Sequence, residues 1–211
     1  MRWLAILLMT ATFAATSARA DGEKAGAFDY YVLSLSWSPT FCALEGAARG
    51  NPQCDRALGW VLHGLWPQYE SGWPSFCRSA FRNPSRADTA AMADIMGSSG
   101  SAWHQWNKHG ACSGLSPDDY YALARRAYDA VTRPAALRKL TRAVKVPADV
   151  IEEAFLTANP EWQADMITIT CKSSRIQEAR LCLTRDLTPR TCGADVIRDC
   201  AMRDALFDPI R

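Results

Sequence analysis

From Asp29 to Trp37 the chain alternates, with Tyr31, Leu33, Leu35 and Trp37 on one side and Tyr30, Val32, Ser34 and Ser36 on the other. A period of two, rich in aromatic and β-branched residues, predicts a strand that Pro39 stops. Leu58 to His63 predicts a second strand. The following Gly64-Leu65-Trp66-Pro67 breaks the extended pattern and places His63 at a strand's end. Between Ser116 and Thr132 the spacing becomes helical: Ser116 suits the N-cap, Pro117 the first turn, and Asp118 and Asp119 the positive end. Tyr120, Ala124, Ala127, Tyr128 and Val131 form its apolar face, and Pro134 ends it. A further helix from Pro147 to Ala158 buries Val150, Ile151, Ala154, Phe155 and Ala158 before Asn159-Pro160 stops it. Met166–Cys171 and Ile176–Leu183 alternate again and predict a hairpin with a four-residue loop, Lys172 to Arg175. Strands at both ends with helices between them predict an α+β fold, one domain around a central, mostly antiparallel sheet flanked by helices.

The first twenty residues differ in kind. Arg2 supplies a positive start, Trp3 to Ala15 are almost wholly apolar, and Ser17-Ala18-Arg19-Ala20 ends in an A-x-A pattern. These features predict an export signal over residues 1–20, leaving residues 21–211 as one mature domain. The apolar run is shorter than the roughly 20 residues a membrane span needs, and no later stretch comes close, so no membrane association is expected. The signal carries two arginines and no acid, so without it 22 basic residues face 22 acidic ones and the net charge of +2 falls to zero. That balance excludes a polycation gripping nucleic acid through bulk charge; any such contact must be local. All eight cysteines, Cys42, Cys54, Cys77, Cys112, Cys171, Cys182, Cys192 and Cys200, follow the signal. An even number behind an export signal reads as four disulfides in the periplasm or outside the cell. No pair has C-x-x-C spacing, which argues against a zinc or thioredoxin-type site, but spacing alone leaves the pairing open.

The chemistry concentrates on three histidines, His63, His104 and His109, which lie in two short segments dense with Trp, Lys and Gly. Imidazole titrates near neutrality, so two of them can serve one displacement as acid and base. The second segment, Trp103 to Cys112, follows a Gly/Ser run (Gly97 to Ser101) suited to opening a helix, and Gly110 is placed to close it. At about 100° per residue, His104, Gln105, Lys108 and His109 share an arc of roughly 140°. An ordinary amphipathic helix with a solvated polar side is the plain alternative. Metal ligation is a weaker one, because His104 and His109 are five apart and the segment holds no carboxylate; no metal or other cofactor is expected. Trp66 and Trp73 flank a Gly/Pro-rich turn near His63, where an aromatic face could stack a base as readily as it could fill a core.

His63-Gly64-Leu65-Trp66-Pro67 and Lys108-His109-Gly110-Ala111-Cys112 resemble the two active-site segments of the ribonuclease T2 family. The resemblance extends to the Leu33-Ser34-Leu35-Ser36-Trp37-Ser38-Pro39 strand and to the hairpin with Cys171 and Cys182, and so covers nearly the whole chain after the signal. It implies a metal-independent endoribonuclease acting on single-stranded RNA through the substrate's own 2′-hydroxyl, giving a 2′,3′-cyclic phosphate and then a 3′-phosphate. DNA lacks that nucleophile. By the same resemblance His109 is the base, His63 the acid, His104 a phosphate contact and Lys108 the cation facing the charged transition state, on the acid side of neutral pH. Gln105 stands where the family commonly has glutamate; it cannot ionise but can donate a hydrogen bond. Gln68 stands where some relatives use aspartate for base recognition, beside Trp66 and Trp73 as substrate contacts. The resemblance further implies the pairs Cys42–Cys54, Cys77–Cys112, Cys171–Cys200 and Cys182–Cys192. A monomer is expected. The absence of an N-x-[ST] site without an intervening proline and the Ala-rich signal fit a bacterial periplasmic or secreted protein. Two rival readings are an exported carbohydrate- or nucleotide-binding module stacking ligands on Trp60, Trp66, Trp73, Trp103 and Trp106, and a family member that has lost catalysis.

Overall fold

The two sides of the first alternating run bury two different cores. In the computed structural model, which describes residues 23–211, Tyr31, Leu33, Leu35 and Trp37 enter a large core beneath the helices. Tyr30 and Val32 join a smaller cluster with Cys182, Cys192 and Val196 on the opposite face of the sheet. The expected export signal lies outside the described residues. The strands are β1 (Tyr30–Trp37), β2 (Trp60–Gln68), β3 (Val144–Val146), β4 (Ile167–Lys172), β5 (Arg175–Leu183) and β6 (Ala205–Phe207). They form one sheet in the order β2-β1-β5-β6-β3, with β4 also paired to β5. Only β5 with β6 is parallel, so the fold is α+β with a mostly antiparallel sheet, as the pattern predicts.

The four longest α-helices among the described residues are α1 (Arg86–Ala91), α2 (Ser99–Lys108), α3 (Pro117–Ala130) and α4 (Ala148–Ala158). Helix α2 starts where the Ser98 hydroxyl accepts from the Ser101 amide at 3.1 Å, and α3 where Ser116 does the same for Asp119. Helix α3 then fastens its neighbours through buried phenols. Tyr120 Oη donates to the Leu65 carbonyl of β2 at 2.9 Å, and Tyr121 Oη to the Ala102 carbonyl of α2 at 3.0 Å. In α4, Ala148, Ile151 and Phe155 are buried, but Val150 is exposed. The expected burial of Val150 fails because the apolar stripe repeats at three and four residues, which turns Val150 about 100° away from it.

Two strand expectations need correction. Strand β2 does not end at His63 but runs to Gln68. Its register against β1 slips there, since Ser34 faces Gly64 and Leu35 faces Leu62, leaving His63 as the extra residue of a β-bulge. Pro67 is tolerated because β2 is the sheet's edge. The hairpin loop between β4 and β5 has two residues, not four. Ser173 and Ser174 both take positive φ (49° and 61°), the backbone of a type I′ turn, so Lys172 and Arg175 pair as strand residues.

All four disulfides join the pairs that the resemblance implies: Cys42–Cys54, Cys77–Cys112, Cys171–Cys200 and Cys182–Cys192. Among the described residues no helix is long and apolar enough to cross a membrane.

Candidate active site

The bulge at His63 creates the site. A bulge turns the chain by one residue, so His63 and Trp66 can both face away from the large core while Leu62 and Leu65 still enter it. On β1, Val32 faces Trp66, while Ser34 and Ser36 face Gly64 and Val61 on either side of the bulged His63; beyond the two serines on β5 stand Arg180 and Glu178. The serines are short, so longer side chains from β2 and β5 meet above the central strand. A second bulge, at Gln177, lies beside the same site where β4 and β5 slip register.

His63 Nδ1 meets Glu178 Oε1 at 2.5 Å. The other oxygen of Glu178 accepts from Arg180 Nε at 2.9 Å and Nη2 at 2.7 Å. Glu178 is only 1% exposed. Burial by itself pushes its carboxyl up; the hydrogen bond and charge of His63, with those of Arg180, outweigh that and hold it down to about 2. The carboxylate is therefore ionised across the working range.

Helix α2 supplies the facing wall. It ends at Lys108, and His109 is its C-cap (φ −124°, ψ −47°) rather than a helical residue. Gly110 does not close the helix through a left-handed turn as expected; the chain continues through a tight turn, Gly110–Ser113, and the left-handed residue is Gly114 (φ 76°). Gly110 has a packing reason instead, because a Cβ there would lie 2.7 Å from the Tyr120 ring and 2.9 Å from Trp106. His109 is 5% exposed, with Nδ1 enclosed and without a hydrogen-bond partner. Burial first, then the positive neighbours Lys108, His63 and His104, push its imidazole down to about 3, so it stands neutral. Burial, Lys108 and His63 lower His104 as well.

Trp66 joins the two walls. Its ring meets His63 edge-on (centroids 5.1 Å, 77°) and stacks on His109 (5.1 Å, 29°). Its Nε1 donates to Gln105 Oε1 at 2.7 Å. Gly64 makes room for that bond, because a Cβ there would come within 2.3 Å of the indole nitrogen and 2.6 Å of the amide oxygen. Gln105 is thus buried, its oxygen committed to Trp66, which leaves its NH₂ for the cavity. Of the two helix tryptophans, Trp106 is fully buried while Trp103 is 42% exposed.

A cavity of about 320 Å³ takes in the residues that the resemblance gives as catalytic or substrate-contacting, His63, Trp66, Gln68, Trp73, His104, Gln105, Lys108 and His109, but not the Trp60, Trp103 and Trp106 of the rival stacking reading. Gln68 lies on its buried side and Trp73, 55% exposed, at the rim. A second cavity of about 470 Å³ shares His63, His104 and Gln105 with the first. Among the described residues no group of three or more His, Cys, Asp or Glu is placed to hold a metal ion. Sequence reading missed Glu178 and Arg180, which also line the first cavity. The available signal was a carboxylate and a guanidinium two apart on a strand, which the period of two puts on one face.

The model of the ribonuclease T2 family matches residues 28–192. A ribonuclease of Aeromonas hydrophila is 45% identical over 129 residues, 59% of this chain and 56% of that protein. A probable ribonuclease of Haemophilus influenzae is 34% identical over 128 residues, covering 54% and 47% of the two chains. The chain thus spans about half the length of these curated relatives. Among solved structures, an RNase-related protein from Calystegia sepium superposes with a TM-score of 0.67 at 20% identity, over 90% of this chain and all of that one. RNase NT in complex with 5′-AMP gives 0.61 at 18%, over 86% and 98%. The family match covers most of the chain and both histidine segments, and the solved structures share its fold: the chain belongs to the ribonuclease T2 family.

Proposed function

We propose that this protein is an exported endoribonuclease that cleaves single-stranded RNA by attack of the 2′-hydroxyl on the adjacent phosphorus. The observation that carries this reading is the pairing of unlike imidazoles on one tryptophan. His109 is neutral and so suited to accept a proton, while His63 is backed by an ionised carboxylate and so suited to give one. His109 takes the 2′-hydroxyl proton as the O2′–P bond forms. His63 delivers its proton to O5′ as the P–O5′ bond breaks, leaving a 2′,3′-cyclic phosphate and a free 5′-hydroxyl. In the second stage water replaces the departed alcohol: His63 accepts a proton from it, His109 returns one to O2′, and a 3′-phosphate results.

Lys108 and His104 face the phosphate and offset the charge that grows on its oxygens, a contribution made chiefly in the transition state. The Gln105 NH₂ donates to the same group. Trp66 is engaged on both sides by protein, so its role is to set the spacing of the two imidazoles. Trp73 is the aromatic face left open for a base, and the Gln68 amide meets that base's edge. DNA, which has no 2′-hydroxyl to attack the phosphorus, is not a substrate or partner. Four disulfides support an oxidising location, the periplasm or the medium. Such a protein works as a monomer of one catalytic domain, residues 21–211, after removal of residues 1–20.

Nothing in this sequence of steps needs a metal. Purified protein is therefore expected to degrade single-stranded RNA at an undiminished rate in excess EDTA. Activity that appears only on addition of a divalent cation overturns the reading.

A further inference from the structure

We infer that Glu178, clamped by Arg180, is a positioning residue that keeps the His63 ring protonated at Nδ1 and presents its Nε2–H to the leaving 5′-oxygen. The inference rests on the proposed role of His63 as the acid.

The division of labour within the carboxylate carries the point. Arg180 takes one oxygen with both Nε and Nη2, and the other oxygen is left for His63 Nδ1. An ion pair serving only the sheet would engage Arg180 alone. A buried charge is costly unless paired and hydrogen-bonded, so a carboxylate held on this face needs both partners. Ser34 and Ser36 on the central strand leave the space through which the contact is made. A carboxylate bonded to one ring nitrogen fixes the tautomer and the direction of the other, the logic by which buried acids orient catalytic imidazoles.

The surroundings make such a partner necessary. His63 is faced from α2 by His104 and Lys108 and from its C-cap by His109, none of which offers it a negative partner. Arg180 adds a positive charge from β5, and across the second cavity Arg49 and Lys172 are both paired with Glu45. Asp195 lines the first cavity, but one of its oxygens accepts from the Gly72 amide at 2.6 Å. Gln105 carries no charge. Glu178 is the one carboxylate hydrogen-bonded to a histidine among the described residues.

The test is Glu178→Gln, which keeps the volume and an acceptor but removes the charge. At neutral pH its kcat on RNA is expected to fall about 10²-fold with KM little changed. The alkaline limb of its pH–rate profile moves down by about one pH unit, and the loss shrinks toward acid pH. On a nucleoside 3′-aryl phosphate, whose leaving group needs no proton, the variant keeps most of the parent's rate. A uniform loss at every pH and on both substrates overturns the inference, since that is what a merely structural role gives. Should the variant not fold, the parent protein decides the matter: with only three histidines, ¹⁵N NMR resolves each ring, and His63 is expected to carry a proton on Nδ1 throughout its titration. A bare His63 Nδ1 overturns the inference. Failure of the parent to cleave RNA removes the proposed activity instead, while the NMR result still reports on the Glu178–His63 tie.

Discussion

With His109 replaced by alanine, the protein is expected to lose about 10²–10⁴-fold in kcat/KM on RNA while remaining folded. The size of the loss follows from the position of the ring. It sits where α2 stops, so its backbone is set by the C-cap geometry, and its face is fixed by stacking on Trp66. With Nδ1 enclosed, the nitrogen left to meet the cavity is Nε2. Burial and three positive neighbours keep that nitrogen free of a proton down to about pH 3, so it is a competent base even in acid solution. Once a phosphate anion enters, those same cations are partly neutralised and the ring's basicity rises during the reaction. Alanine removes the base outright. The His109→Ala loss should therefore be equally severe on RNA and on an aryl phosphate, because both need the 2′-hydroxyl deprotonated. His63→Ala should be severe on RNA alone. Equal, mild losses in both variants on both substrates, measured with circular dichroism confirming the fold, would dismiss the assignment of roles.

The second large effect is on stability. An unfolded chain protonates His109 near its ordinary 6.5, whereas the folded protein resists until about 3. Between those values the unfolded state binds more protons, so stability is fully present above pH 6.5 and is lost as pH falls. Glu178 has the same sign over a lower window: its carboxyl is held to about 2 against an ordinary 4.5, so its contribution is present above 4.5 and lost below. Glu152 acts the other way. Burial, with Asp199, Asp149 and Glu153 nearby, pushes it up to about 7, so the folded state gains as pH drops from 7 toward 4.5. Glu152 lies partly exposed on α4, where solvent screens its neighbours, and its effect is the smaller. The balance predicts a protein about 3 kcal/mol less stable at pH ~4 than at pH ~7 by urea denaturation. In His109→Gln, which cannot titrate, most of that slope should vanish. Parallel slopes in parent and variant would show that the enclosed ring is not the source.

Much of this site can be read from residue order, and what cannot has definite physical causes. Periodicity finds β1, the hairpin strands and helices α3 and α4 because each buries a face large enough to impose a repeat, whereas the six-residue α1 and the three-residue β3 and β6 are too short to show one. The three histidines announce themselves by chemistry and clustering, and one helix brings His104, Gln105, Lys108 and His109 to one wall. The end of β2 is misplaced because Gly64 and Pro67 are breakers in isolation. On an edge strand with a bulge they instead make room for the Trp66–Gln105 bond and cost no ladder partner. Gly110 is misjudged for a similar reason: its smallness serves Tyr120 and Trp106, not the backbone. Glu178 escapes notice because a charge on an alternating strand ordinarily faces water. Only the register that sets it diagonally across Ser36 from a bulged histidine reveals its partner.

The central claim is an in-line exchange at phosphorus between a ribose 2′-oxygen and a departing 5′-oxygen, served by His109 and His63. A dinucleoside monophosphate and its analogue lacking only the 2′-hydroxyl at the 5′ residue test it most directly, with products separated by chromatography and ³¹P NMR. The account predicts a transient 2′,3′-cyclic phosphate that decays to the 3′-phosphate from the first compound, and no cleavage of the second. Cleavage of the deoxy analogue, or a 5′-phosphate product with no cyclic species from the ribose compound, would contradict it.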